Sequence, residues 1–397
     1  MAKDINPPRG MRDFLPAEKG KRERVLGVIR DIYSSYGFQE VETPALENID
    51  RLLSGQGGDN EKLAYRVMKR GAELDSALTD VSNVDGLADL GLRFDLTVPL
   101  TRFYATNRAN LPTLFKALQM GPVWRAERPQ KGRYRQFVQC DIDIIGDDSI
   151  LAEIELLNAS LAALDALGLT DAVIRVNHRS LLVSLLTGFG VKAEDLPLAM
   201  IIIDKLDKIE ISGVVTELEE KLGDAVAAKA NSWFASLDSP VIPDVLADLF
   251  AAVPRLRFDP TLVRGMGYYT GAIFEIEHPA SGLSIGGGGR YDGMVGKWLG
   301  TDVPAVGISL GFERVVELVE DSAKPNGVVL VLDDDSPATI QAALTYQKEL
   351  IGQGLNVRLE LKPKRLNLLL ETMKANGFNQ FALVSADSAK PTLKPID

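Results

Sequence analysis

A period-two alternation over residues 138–144 constrains the fold of this chain more than any other feature. Val138, Cys140, Ile142 and Ile144 fall on one side, and Gln139, Asp141 and Asp143 on the other. Successive side chains of a strand point to opposite faces, so this is a strand with one apolar and one polar face. Such a strand belongs in an antiparallel sheet with a single wet face. It follows a loop dense in cations: of the eleven residues 125–135, five are basic (Arg125, Arg128, Lys131, Arg133 and Arg135). Guanidinium forks on a loop between two strands can hold phosphate oxygens bidentately. A charged hairpin tip can equally be mere solvated surface. Gln139 and Asp143 stand about 13 Å apart along the polar face. An acidic, amide-bearing face beside an arginine loop suits a cationic or amine-bearing substrate next to a phosphate.

Around this strand the periodicity predicts an α+β protein. Val25, Leu26, Ile29, Ile32, Tyr33 and Tyr36 share a helical face that Gly37 ends. A short strand follows at 39–42, stopped by Pro44, and 51–91 reads as loops with short strands. Residues 149–167 form an amphipathic helix through Ile150, Ile154, Leu157, Leu161 and Leu164. Residues 181–250 read as mostly helical, an insertion between two catalytic halves; a strand returns at 270–277, and 304–319 reads as a strand running into a helix. The tail changes style. Strands at 328–332, 356–361 and 380–385 alternate with helices that start at Ser336–Pro337 and Arg365. This βαβαβ order predicts a small parallel α/β domain over 324–397, after a first domain over 1–323.

Composition sets limits on function. The 397 residues suggest two or three domains. The net charge of −11 argues against a non-specific DNA coat, though not against a local basic surface. One cysteine, Cys140, permits no internal disulfide and fits a reducing, cytoplasmic compartment. Two histidines and that cysteine leave few ligands for zinc, and no metal ligand is assigned. No apolar run approaches the ~18 residues of a membrane span.

Three further constellations carry chemistry. In 92–102, Asp95 and Thr97 share a face when extended and can receive an ammonium group; taken alone, a helix N-cap explains them better. In 262–277, Arg264 precedes Gly265 and Gly267, which permit close backbone approach, and Tyr268 and Tyr269 supply rings with polar tips. Gly286 to Gly289 then either floor a pocket or make a bulge. In 306–315, Arg314 enters the first turn of a helix, which is unfavourable unless an anion is present, or is simple surface charge. No Walker loop and no G-x-G-x-x-G helix start occurs, so a nucleotide would be held by arginines on an antiparallel sheet. In the tail, Lys362, Lys364 and Arg365 make a short basic patch, suited to nucleic-acid phosphates or to a solvated helix end.

These segments resemble the histidyl-tRNA synthetases, class II aminoacyl-tRNA synthetases, over nearly the whole chain. YGFQEVETP at 36–44 is similar to the first class motif, which builds the dimer interface; 125–143 is similar to the second and GISLGFER to the third. LVRGMGYYTG and GGGGRYDG resemble the histidine-specific pair, and PPRGMRDFLP the family's N-terminus. The resemblance implies a class II antiparallel sheet flanked by helices, with a helical insertion and an anticodon-binding α/β domain. It implies that Asp95, Leu96 and Thr97 hold the substrate amino end, and that Gln139, Asp143, Tyr268 and Tyr269 surround the histidine. Arg125 is implied for the ATP α-phosphate, Glu127 for the adenine, Arg133 and Arg314 for the outer phosphates, and Arg264 as the catalytic cation with Arg125. The implied partners are L-histidine, ATP with Mg²⁺, tRNA(His) and a second copy of the chain.

The chain departs from the family at Gly267, where an aspartate is usual, at Val138, where histidine or tyrosine is usual, and in a tail domain shortened at its end. The alternative is a catalytically inactive paralogue, the regulatory subunit of ATP phosphoribosyltransferase. Such paralogues lose charged residues of the second motif, whereas Arg125, Glu127, Arg133, Arg135 and Arg314 are all present here.

Overall fold

The computed structural model describes residues 5–53, 63–79, 84–130, 132–237, 240–264, 269–320, 326–387 and 391–396. They divide into two compact units, one from Met1–Asp13 and Val25–Val319, the other from Phe14–Arg24 and Glu320–Asp397.

The first unit is built on an eight-stranded sheet. Near one edge lies a long hairpin, Phe115–Trp124 and Gln136–Ile145, joined by the cation-rich loop. Ala305–Gly311 pairs antiparallel with the second strand of the hairpin, followed outward by Gly286–Arg290, Ala272–Glu277 and Val173–His178. The outermost strands, Gln39–Glu40 and Leu256–Phe258, pair parallel to their neighbours. The antiparallel sheet expected from the alternation is therefore present, with parallel additions at both edges.

The two faces divide as the alternation requires. Cys140, Ile142 and Ile144 are fully buried in one apolar cluster with Val25, Ile29 and Tyr33 of the helix Pro16–Ser35. Leu156, Leu157, Leu161 and Leu164 of the helix Ile150–Ala166 join the same cluster. Gly37, at φ +82°, turns the chain from the first helix towards the sheet edge. Residues 181–250 are indeed helical: Arg179–Phe189, Leu196–Ile203, Leu206–Leu222 and Asp224–Phe234 share a second cluster. The last helix of that stretch, Asp244–Ala252, differs, because its Leu246 and Leu249 belong to the core beneath the sheet. Residues 51–91 contain most of a small three-stranded sheet, Leu46–Asn48, Ala88–Leu92 and Arg66–Met68.

In the second unit, Gly327–Leu332 lies between Asn356–Leu361 and Phe378–Val384, all parallel. Ser336 caps the helix Pro337–Gly352, its side chain accepting from Thr339 N–H, with proline in the first turn. A fourth strand, Lys394–Pro395, adds antiparallel to Phe378–Val384. Two residues carry no readable period, which is why the βαβαβ expectation omits it. Among the described residues, no helix is long and apolar enough to cross a membrane.

Candidate active site

The site lies on the polar face of the sheet. The strand registers set Gln119, Asp141, Ser309, Gly287 and Glu275 in one row across five strands, and Ala117, Asp143, Gly307, Gly289 and Ile273 in the next. A cavity of ≈ 450 Å³ opens over these rows, within the range of small-molecule sites. The glycines explain the space. A Cβ on Gly307 would stand 1.9 Å from Asp143 Oδ1, one on Gly287 2.9 Å from Arg264 Cζ, and one on Gly289 2.8 Å from the Tyr269 ring. The run at 286–289 is thus a regular strand rather than a bulge, and its missing side chains make room for two others.

Of the residues expected from the sequence, Asp95, Thr97, Arg125, Glu127, Arg133, Gln139, Asp143, Arg264, Tyr269 and Arg314 all line this cavity. Tyr268, Gly265 and Gly267 lie outside the described residues. Leu96 does not line it: its side chain is fully buried and its carbonyl accepts from Gln119 Nε2 at 3.0 Å. Position 96 supports the floor through that carbonyl. Val138, the other departure, keeps its backbone N–H on Glu313 Oε1 at 3.2 Å.

Asp95 divides its two oxygens. Oδ1 accepts from Val98 N–H at 3.1 Å, in the first turn of the helix Thr97–Asn107. Oδ2 is buried without a hydrogen-bond partner among the described residues. Gln139 behaves similarly: Nε2 donates to Ser309 Oγ at 2.9 Å and to Asp141 at 3.4 Å, while Oε1 is buried and unpartnered. Asp143 Oδ1 accepts the Tyr291 hydroxyl at 2.5 Å, and its Oδ2 is also buried and unpartnered. Among the described residues, these three acceptors on a polar floor have no donor, a costly arrangement unless a ligand supplies them.

The same burial shifts the acids. Loss of solvent pushes the Asp95 carboxyl up to about 6, against the Val98 N–H and the Arg125 charge. It pushes Asp143 up to about 7, against the Tyr291 hydroxyl. Asp141 is pushed well above the ordinary carboxylate range, by burial first and the neighbouring Asp143 charge second. Each shift favours a cationic ligand that would restore the ionised forms. Asp141, Ser309, Tyr291 and Glu275 are members of the site that the motifs do not single out for a role.

Arginines line the same cavity. Arg125 Nε donates to Phe94 O at 2.9 Å, and its guanidinium lies 5.1 Å above the Phe137 ring. Arg133 Nη1 pairs with Glu127 Oε2 at 2.9 Å, and Arg314 donates to Ser284 O. Arg264 Nη1 meets Glu275 Oε2 at 2.7 Å. Other cations of the motifs are braces: Arg135 donates to Glu127 O at 3.0 Å, and Arg290 forks onto Glu153 with both bonds at 2.6 Å. Among the described residues, no three His, Cys, Asp or Glu side chains form a metal centre.

Comparison with known proteins gives the family. A family model described as histidyl-tRNA synthetase matches residues 10–315. The histidine–tRNA ligase of Leifsonia xyli subsp. xyli is 53% identical over 430 residues, with 100% of this chain and 99% of that protein covered. The probable histidine–tRNA ligase of Tropheryma whipplei is 44% identical over 428 residues, covering 99% of each. A crystal structure of histidyl-tRNA synthetase from Nostoc sp. PCC 7120 superposes with a TM-score of 0.77 at 26% identity, covering 99% of this chain and 95% of that one. A structure described as an ATP phosphoribosyltransferase regulatory subunit/histidyl-tRNA synthetase from Bacillus halodurans C shares the fold, with a TM-score of 0.75 at 18% identity, over 97% of this chain and 99% of that one. A match that spans the whole catalytic sheet, and relatives aligned from end to end, place the chain in one group: it belongs to the histidyl-tRNA synthetase family.

Proposed function

We infer that the chain is a histidine–tRNA ligase. It joins the carboxylate of L-histidine to the α-phosphorus of ATP with departure of pyrophosphate, then passes the histidyl group to the 3′ end of tRNA(His). The observation that carries this reading is the set of buried, unpartnered oxygens on Asp95, Gln139 and Asp143 within a cavity that Arg125, Arg264 and Arg314 also line. An amino acid with an ammonium group and an imidazolium, which donates from both ring nitrogens, supplies the missing donors, and its carboxylate and a triphosphate take the cations.

On this reading Asp95 Oδ2 and Thr97 receive the α-ammonium group. Gln139 and Asp143 face the imidazole end, with Tyr269 and Tyr268. Arg125 holds the α-phosphate, Glu127 the adenine, and Arg133 and Arg314 the outer phosphates, so that the Arg133–Glu127 pair opens when ATP arrives. Mg²⁺ accompanies ATP. Arg264 stands between the attacking carboxylate and the α-phosphate. Residues 1–323 form the catalytic domain and 324–397 the anticodon-binding one, with Lys362, Lys364 and Arg365 available to tRNA phosphates. The working form is a cytoplasmic homodimer, as the motif at 36–44 suggests, with a self-complementary interface. A fully active lone monomer in sedimentation at micromolar protein would overturn the dimer.

Histidine-dependent exchange of pyrophosphate into ATP tests the first step, and charging of tRNA(His) the second. Absence of both would favour a regulatory subunit such as the one the Bacillus halodurans description names. A pH profile tests the amino-group site. Asp95, held at about 6 by burial, loses its charge below that value and no longer pairs with an ammonium. Asp143, pushed up to about 7, and the substrate imidazole titrate in the same range, so the profile is compared with that of Asp95→Asn. The KM for histidine should rise more steeply below about pH 6 in the starting enzyme than in the variant, while the KM for ATP stays nearly level. A rise no steeper in the starting enzyme than in the variant would remove Asp95 from cation binding.

A further inference from the structure

Arg264 is tied down from two sides. At the tip, Nη1 donates to Glu275 Oε2 at 2.7 Å. The other oxygen, Glu275 Oε1, accepts from Arg175 Nη1 at 2.9 Å. Arg175 and Glu275 are direct cross-strand neighbours, and Arg175 Nε reaches on to Asp259 Oδ2 at 2.6 Å. At the stem, Asp259 Oδ1 accepts from Thr261 N–H at 2.8 Å and from its hydroxyl at 2.6 Å. Asn177 Nδ2 donates to the carbonyls of Pro260 and Leu262 at 3.2 and 3.1 Å. The segment leading to Arg264 is therefore fastened to the strand Val173–His178, and its guanidinium to the next strand through Glu275. Gly287, the partner of Glu275 on its other side, leaves the space the guanidinium occupies.

We propose that Glu275, buttressed by Arg175, is a positioning residue that sets the Arg264 guanidinium at the angle where the substrate carboxylate and the α-phosphate meet it. The carboxylate takes Nη1, so the guanidinium is oriented before substrate arrives and does not have to be ordered during the reaction. Reaction rates fall steeply when a contributing group is misplaced by about an ångström. The proposal rests on the reading of Arg264 as the catalytic cation, and it differs from a plain structural ion pair in one respect. A residue that works through Arg264 has nothing left to do once Arg264 is gone.

The test compares the whole enzyme with Glu275→Gln, Glu275→Asp, Arg264→Ala and the double variant Glu275→Gln/Arg264→Ala in histidine-dependent pyrophosphate exchange, with thermal unfolding alongside. Glu275→Asp keeps the charge but draws the carboxylate back by one methylene, so it serves where the glutamine variant does not fold. Either single change at 275 should lower kcat by about 10- to 100-fold, with the KM for histidine and ATP within about threefold of the starting enzyme. The double variant should be no slower than Arg264→Ala. Near-normal kcat in both Glu275 variants, with Arg264→Ala inactive, overturns the proposal and spares the reading of Arg264. A Glu275→Gln penalty undiminished in the Arg264→Ala background overturns it equally, assigning Glu275 to the scaffold. Normal exchange by Arg264→Ala overturns both.

Discussion

Arg264→Ala is expected to slow histidyl-adenylate formation by about 10²–10³-fold, the usual loss when one preorganised electrostatic contact is removed from a developing charge. The reaction sets two anions against each other, a carboxylate and a phosphoryl group, and the five-coordinate phosphorus gathers negative charge. A carboxylate is already a nucleophile at neutral pH, so no general base is required and the protein's work is positioning and charge stabilisation. A guanidinium suits that work because it keeps its proton and presents several donors in one plane. Arg264 sits at the cavity wall with Nη1 committed to Glu275, over the gap at Gly287. ATP affinity should change far less than the rate, since Arg125, Arg133 and Arg314 line the same cavity. Arg264→Lys should recover only part of the loss, because an ammonium cannot reproduce the fork. The measurement is single-turnover adenylate formation; a variant with near-normal rates would leave Arg264 as a cross-strand tie and nothing more.

How far this site is legible in the sequence varies residue by residue, for physical reasons. The strand Gln136–Ile145 is readable because a period of two, sustained over seven residues, fits a half-buried strand and little else; its acids must then face either water or a ligand. Asp95 is readable only as a choice between cap and ligand; a carboxylate has two oxygens, and the fold sets one on the Val98 N–H and leaves the other without a donor among the described residues. Leu96 reads with its neighbours as a substrate contact, yet the helix start turns its side chain into the interior. The glycines at 286–289 and 307 are visible as glycines, but their purpose is not. What a missing Cβ makes room for belongs to residues such as Asp143 and Arg264, brought close only by strand pairing. Glu275 and Arg175 are a hundred positions apart, and nothing local marks them as partners. Local periodicity reports faces; it does not report which faces meet.

Phenylalanine should support exchange with a kcat/KM about 10⁴–10⁵-fold below that of histidine, the margin open to a site whose polar groups are stranded by the wrong substrate. The two side chains are similar in shape, so exclusion by size contributes little. The difference lies in the ring N–H groups. Gln139 Oε1 and Asp143 Oδ2 are buried and unpartnered before substrate binds. Histidine can satisfy them, whereas a phenyl ring seals them from water and gives nothing back, at about 1–3 kcal/mol for each neutral group and more for a charged one. Asp143 is the more costly of the two, since burial already holds its carboxyl up to about 7 even with the Tyr291 hydroxyl on its other oxygen. Asp143→Ala should therefore lose most of the discrimination, by weakening histidine and by lifting the penalty that phenylalanine pays. Gly307→Ala should do the same from behind, because its new methyl would stand 1.9 Å from Asp143 Oδ1 and force the carboxylate out of place. Parallel exchange assays with the two amino acids decide the matter: phenylalanine within about tenfold of histidine in the unaltered protein would mean that the ring does not sit against Asp143.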